Sequence, residues 1–296
     1  MVDLVVLGSV GYDSIKTPFG SADNVLGGAA TYASIAASFF AKPGVVAVVG
    51  EDFSGMDKFL SRNISTDGIK IVKGMTFRWS GYYEYDMNEA RTVETQMNVF
   101  EGFSPALPES YKKAKSVFLG NIDPGLQLSV LKQMRPELVV ADTMNYWIEN
   151  RRDALFDVIK KSTIFLLNDG EARQLFSTTS LAAAGKKILS LGAKAAVIKK
   201  GEHGVLLFTD SSVFMLPGYP LENVVDPTGA GDSFGGALSG CLLKNGLSEQ
   251  SLRKAVVYGS AVASFSVEDF GTSNLERITM SDIERRYREF EAMIRF

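Results

Sequence analysis

The sequence predicts an α/β fold, a mostly parallel central sheet flanked by helices with a small antiparallel β lid. Three observations lead there. Short apolar runs alternate with helical patterns along most of the chain, as βαβ units do. Residues 75–100 break that rhythm with period-2 alternation. The chain from residue 231 onward reads as helix alone. Its 296 residues suit one large domain, expected over 1–296, with lid pieces near 14–26 and 75–100.

The elements follow in order. Residues 4–7 are apolar and closed by Gly8 and Ser9, which favours a buried strand over a helix. Residues 29–41, AATYASIAASFFA, read as a buried helix after Gly27 and Gly28, and 45–49 as a second buried strand. Further strands are expected at 116–119, 138–140, 164–167 and 195–198, with helices at 53–65, 125–134, 150–161, 169–177 and 180–191. Residues 204–208 and 212–216 flank Thr209, Asp210 and Ser211 and predict a hairpin. Helices at 231–245, 248–267 and 280–294 complete the chain. Within 75–100, Phe77, Trp79, Tyr83 and Tyr85 fall on one face and Arg78, Ser80, Glu84 and Asp86 on the other, with Met87 to Glu89 as the turn. Such a flap covers a ligand or merely extends a sheet edge. Its apolar face leaves a homodimer through the lid open.

Composition narrows the function. With 31 basic and 34 acidic residues and no basic stripe, a nucleic-acid binder is disfavoured. One cysteine, Cys241, allows no internal disulfide, and with one histidine, His203, it cannot build a zinc cluster. The N-terminus lacks a signal-peptide pattern, and no apolar run is long enough to span a bilayer, so a cytoplasmic protein without membrane or nucleic-acid partners is expected. P-loop, dinucleotide-fingerprint, protein-kinase-loop and nucleophile-elbow signatures are all missing.

The informative segment is 226–237, DPTGAGDSFGGA. Gly229, Ala230 and Gly231 let backbone approach an anion at the start of an apolar helix, whose free N–H groups and dipole face that anion. Asp232 then stands in the first turn. An acid beside an anion site has a use as the base that takes an alcohol proton during phosphoryl transfer. An acid also suits a helix's first turn for the dipole alone, but that does not explain the small residues before it.

The string DPTGAGDSFGGALSG resembles the C-terminal signature of the PfkB/ribokinase family of carbohydrate and nucleoside kinases. In matching order, Gly27 and Gly28 in LGGAATYAS resemble its double glycine. Residues 49–69 resemble the segment after its second buried strand. Asn168 to Glu171 (NDGE) resembles its N-x-x-E motif, and KKGEHGV its nucleotide-side glycine loop. The resemblance implies a ribokinase-like fold and transfer of the ATP γ-phosphoryl to a hydroxyl of a sugar or sugar-containing molecule. It makes Asp232 the base and Gly229, Ala230 and Gly231 the anion hole. Asn168, Lys200, Gly201, Gly204 and Thr228 would be nucleotide contacts, and Asn168 and Glu171 would hold Mg2+ through water. Asp13, Gly27, Gly28 and Tyr32 would meet the substrate. Asn121 and Asp123, at a strand's carboxyl end, are further substrate candidates, as are Asp142 and Asn145 by the same placement.

Local readings stand beside these roles. Asn168 and Glu171 also have the spacing of a capping box. Asp13, Asn121 and Asp123 are also turn formers. Three positions depart from the family: Tyr32 where an Asn is common, Lys199 where many members carry Thr, and Pro227 in place of a common Thr. Lys199 reads either as a phosphate contact or as a solvated strand end. Asp226 leaves an activating monovalent cation open. Nucleoside and inositol kinases of the same family remain alternatives, as does a catalytically silent sugar-binding relative, against which the intact Asp232 and glycine turn argue. Asp232, at a positive helix end, is expected to be ionised near neutrality.

Overall fold

The computed structural model describes residues 1–295. In chain order the elements are β1 (Leu4–Leu7), β2 (Gly11–Thr17), β3 (Gly20–Gly27), α1 (Ala29–Ser38), β4 (Pro43–Gly50), α2 (Met56–Leu60), β5 (Ser65–Val72), β6 (Phe77–Tyr82), β7 (Arg91–Gln96) and β8 (Ser116–Leu119). Then come α3 (Pro124–Gln133), β9 (Leu138–Ala141), α4 (Asn145–Asn150), α5 (Arg152–Lys161), β10 (Ile164–Asn168), α6 (Asp169–Phe176), α7 (Leu181–Ser190) and β11 (Ala195–Lys199). Strands β12 (Val205–Thr209) and β13 (Val213–Leu216) precede α8 (Ala230–Asn245), α9 (Glu249–Ser266), α10 (Ser273–Arg277) and α11 (Met280–Met293).

Nine strands form the large sheet, in the order β13-β12-β11-β10-β9-β8-β1-β4-β5. It is parallel from β11 to β5, and the β11–β12–β13 edge is antiparallel. Its central strands β1, β8 and β9 are buried at every position because helices cover both faces. Leu4 and Val6 join the core under α1, α8 and α9, while Val5 and Leu7 join the core under α3, α5, α6 and α7. The sheet grows one way from β1 through β4 and the other way through β8, so the crevice beyond the carboxyl ends of β1 and β8 is a topological switch point.

A second sheet, ordered β3-β2-β6-β7, stands beside this crevice. Its β2–β3 and β6–β7 pairs are antiparallel, and β2 and β6 run parallel. Arg78 on β6 ties it to the core through Asp52 at 2.9 Å, and Asp52 also accepts from the Thr76 backbone at 2.7 Å.

Several expected elements differ. The helix read over 53–65 is the single turn α2, and β5 beyond it was not expected. As an edge strand with Ile71 62 % exposed, β5 lacks the buried apolar run that marks the central strands. The helix expected over 150–161 is α5, and a further short helix, α4, precedes it and meets it at Arg151. Strand β6 ends at Tyr82, so Tyr83 and Tyr85 do not continue its apolar face. Tyr83 is buried, whereas Tyr85 is 86 % exposed. Strand β7 has no buried position and stops at Gln96, short of the residue 100 expected.

Candidate active site

The site gathers where β1, β8, β9 and β11 end and α1 and α8 begin. Gly229, at φ +73°, caps α8, and no side chain caps that helix, so its first N–H groups stay available to a ligand. A Cβ on Gly229 would fall within the Tyr32 ring, so both the dihedral and the close approach require glycine. One turn on, the Asp232 Oδ1 is fully buried and has no hydrogen-bond partner. Burial, reinforced by Asp142 and opposed by Lys199, raises the Asp232 pKa to about 7. The expectation of full ionisation near neutrality is therefore corrected. Loss of solvation outweighs the helix end, and the group titrates at neutrality.

Asp13 lies within β2 and is 4 % exposed, not in a turn as its residue type suggested. Its carboxylate occupies the space a Gly27 side chain would need. Burial chiefly, then Asp226, lifts its pKa to about 7, against the Gly28 backbone hydrogen bond. Asp226 is buried, accepting from Thr228 N at 2.9 Å and Gly271 N at 3.1 Å, and these bonds fix the turn before α8. Tyr32, 1 % exposed, has a buried hydroxyl without a partner. Burial and the nearby Asp13, Asp226, Tyr83 and Asp232 push its pKa well up. The Thr228 Oγ1 donates to the Tyr83 hydroxyl at 3.2 Å, which seats the segment after β6 against this turn.

Asn168 and Glu171 form the reciprocal capping box. Glu171 N donates to Asn168 Oδ1 and Asn168 N to Glu171 Oε2, both at 2.7 Å. Burial raises the Glu171 pKa to about 8, with Asp142 adding to it and Lys199 opposing. Lys199 is the residue whose weight the sequence did not reveal. It is no solvated strand end, because its ammonium bonds Asp142 Oδ2 at 2.6 Å with the side chain 18 % exposed. The signal was its place at the carboxyl end of a parallel strand, level with Asn168 on β10.

The remaining candidates make local contacts. Asp123 caps α3 through Gly125 N and pairs with Arg151 Nε at 3.4 Å, as the turn-forming reading expects. Asn121 follows β8 and is half-buried, outside the cluster just described. Gly204, at φ +81°, packs against the Leu216 carbonyl. Gly201, at φ +54°, lies under the Asn88 side chain, and Lys200 opens that loop with its N–H bonded to Gly204 O at 2.8 Å. A concavity of about 1050 Å³ is lined by Ser14, Lys16, Ser80 and Tyr82, on the strand face opposite Asp13, and shares Tyr83 with the site.

Doubly covered parallel sheet, flanking small sheet, uncapped glycine turn and buried acid together define a small-molecule phosphotransferase. The chain belongs to the pfkB family of carbohydrate kinases, whose pattern matches residues 2–278, and it is an ATP-dependent kinase. It is 34 % identical over 248 residues to the cytidine kinase of Thermococcus kodakarensis, covering 81 % of this chain and 88 % of that one. The ribokinase of Giardia lamblia superposes with a TM-score of 0.81 at 18 % identity, over 98 % of this chain and 99 % of that one. The nucleoside kinase of Burkholderia thailandensis, solved with inosine, gives 0.78 at 17 % identity over 98 % and 99 %. Among the described residues no helix is long and apolar enough to cross a membrane.

Proposed function

We propose that the chain transfers the γ-phosphoryl of ATP to a hydroxyl of a ribonucleoside, with cytidine the first candidate. The substrate class rests on the likeness to the cytidine kinase. The chemistry rests on one observation, the unpartnered Asp232 Oδ1 in the first turn of the uncapped α8.

Asp232 takes the proton of the attacking hydroxyl as that oxygen bonds the γ-phosphorus and the bond to the β,γ-bridging oxygen breaks, leaving ADP. With a pKa of about 7 it is a base matched to neutral pH. The Gly229–Gly231 backbone receives the charge on the transferred group. Asp13, against Gly27, is the partner for substrate hydroxyls. Among the described residues no cluster of three acidic, histidine or cysteine side chains could hold a metal. The carbonyl and carboxyl oxygens of Asn168 and Glu171 suit a hydrated Mg2+ that would take its remaining ligands from phosphate, these two residues touching its waters. Such an ion, when bound, neutralises phosphate charge. The segment following β6, held by Tyr83 to Thr228, would exclude water from the site.

The test is ADP formation with cytidine, uridine, inosine, ribose, fructose and myo-inositol. Turnover of a ribonucleoside well above the free sugars and inositol supports the reading. Turnover of a sugar or inositol alone moves the substrate class, and no turnover with any acceptor favours a silent relative.

A further inference from the structure

Resting on the kinase reading above, we infer that Lys199 is a further catalytic residue that meets the γ-phosphoryl group, and that Asp142 is the residue that positions it. The argument starts from how firmly Asp142 is held. Its Oδ1 accepts from Thr143 N at 3.0 Å and its Oδ2 from Lys199 Nζ at 2.6 Å. Its own N–H donates to Leu119 O at 2.9 Å, and its carbonyl accepts from the buried Gln127 amide at 3.0 Å. Backbone of β8, a side chain of α3 and the end of β9 thus fix the carboxylate, and the carboxylate fixes the ammonium.

The place at which the ammonium is fixed is the first turn of α8. A Cβ built on Gly231 would stand 2.9 Å from Lys199 Nζ, so glycine there leaves the cation room against the turn. An ammonium has three donors, and Asp142 is the hydrogen-bond partner Lys199 has in the structure. A buried pair with a purely structural purpose gains by satisfying every donor. Here the ammonium stands beside the first turn of α8, and a phosphoryl group bound at that turn would take the remaining donors.

The charges point the same way. The groups around the ammonium are Asp142, Glu171 and Asp232, and all three keep it protonated despite its burial. Asp142 compensates the cation in the free protein, so it can be stored in a buried site. An arriving phosphate adds negative charge without requiring a cation to be imported or reoriented, which is how preorganised sites stabilise a transition state.

Four variants test this: K199M, K199R, D142N and K199M/D142N. The double variant removes both charges of the pair together, so neither partner is left buried without the other, and it keeps the fold measurable even where K199M alone unfolds. In the double variant, ATP affinity by calorimetry should weaken at least ~10-fold and ADP affinity less than ~3-fold, because the contact is to the γ-phosphate. Its kcat should fall by ~10²-fold or more, with the nucleoside KM within ~3-fold. K199R should retain far more activity than K199M. D142N, with the cation present but unanchored, should lower kcat more than it raises the ATP KM. Wild-type-like kcat and ATP affinity in the double variant would overturn the inference and leave Lys199 a strand-end ion pair. Absence of turnover in the wild type would instead sink the functional reading, while the ATP-against-ADP comparison still decides on Lys199.

Discussion

Replacing Asp232 by Asn should make the protein more stable and less active at once. The carboxyl pKa rises from 3.8 to about 7 in the fold, chiefly through burial. Between those values the unfolded chain has already released the proton that the folded chain still holds, so stability falls as pH rises from ~4 to ~7 and is then level. At about 1.4 kcal/mol per pH unit the full loss is on the order of 4 kcal/mol above pH 7, and on the order of 1.5 kcal/mol at pH 5. The Asn variant escapes this loss, and its shape leaves the first turn of α8 intact. For a chain of this size, the Tm of the variant should exceed that of the wild type by roughly 8 °C at pH 8 and by roughly 3 °C at pH 5. Over the same comparison, kcat should drop at least ~10²-fold, as loss of a general base does. Calorimetric melts across pH 5–8 and steady-state ADP release provide both readings. The wild-type kcat/KM should lose activity as pH falls through about 7. A variant with near-normal turnover would refute the base assignment. A Tm difference that ignores pH would refute the desolvation argument.

Gly229→Ala should fold poorly or lose turnover, because its Cβ falls within the Tyr32 ring at a φ of +73°; normal melting and normal activity together would make the turn tolerant and the cradle unnecessary. Tyr32→Phe removes a buried hydroxyl that has no partner, so its Tm should hold or rise; an unchanged acceptor KM would exclude that hydroxyl from substrate binding. Glu171→Gln keeps the capping box with Asn168 but removes a carboxyl that ionises above about pH 8, so a magnesium titration at about pH 9 should show a higher requirement, whereas identical curves assign the pair to helix capping alone. Amide exchange over residues 77–96 should slow when a nucleoside binds while β1 stays protected in both states, and indifference of that segment to ligand would make it a rigid element.

The sequence by itself determined the alternating core and the glycine turn that opens α8. Strands such as 4–7 and 164–167 are buried on both faces, so an uninterrupted apolar run marks them without knowledge of their neighbours. The turn at 226–232 is legible because its properties are local: a glycine at positive φ, small residues after it, and an acid one turn into a helix. The capping box of Asn168 and Glu171 was legible for the same reason. Edge strand β5 was not, since its exposed outer residues lack a core pattern and its partner β4 lies across a helix in sequence.

Only the tertiary structure decided the charges of the site. Asp142 and Lys199 are 57 residues apart, and each alone reads as a polar strand end. Their meeting follows from strand order, which brings the carboxyl ends of β9, β10 and β11 to one edge. The titration of Asp232 near 7 likewise depends on desolvation by chain that is remote in sequence and on the opposing charges of Asp142 and Lys199. Tyr83 reads as one more residue of an alternating strand, yet its hydroxyl reaches Thr228 across 145 positions. Local spacing fixes backbone conformation, whereas solvation and Coulomb energy depend on everything within several ångströms, and the fold alone sets that.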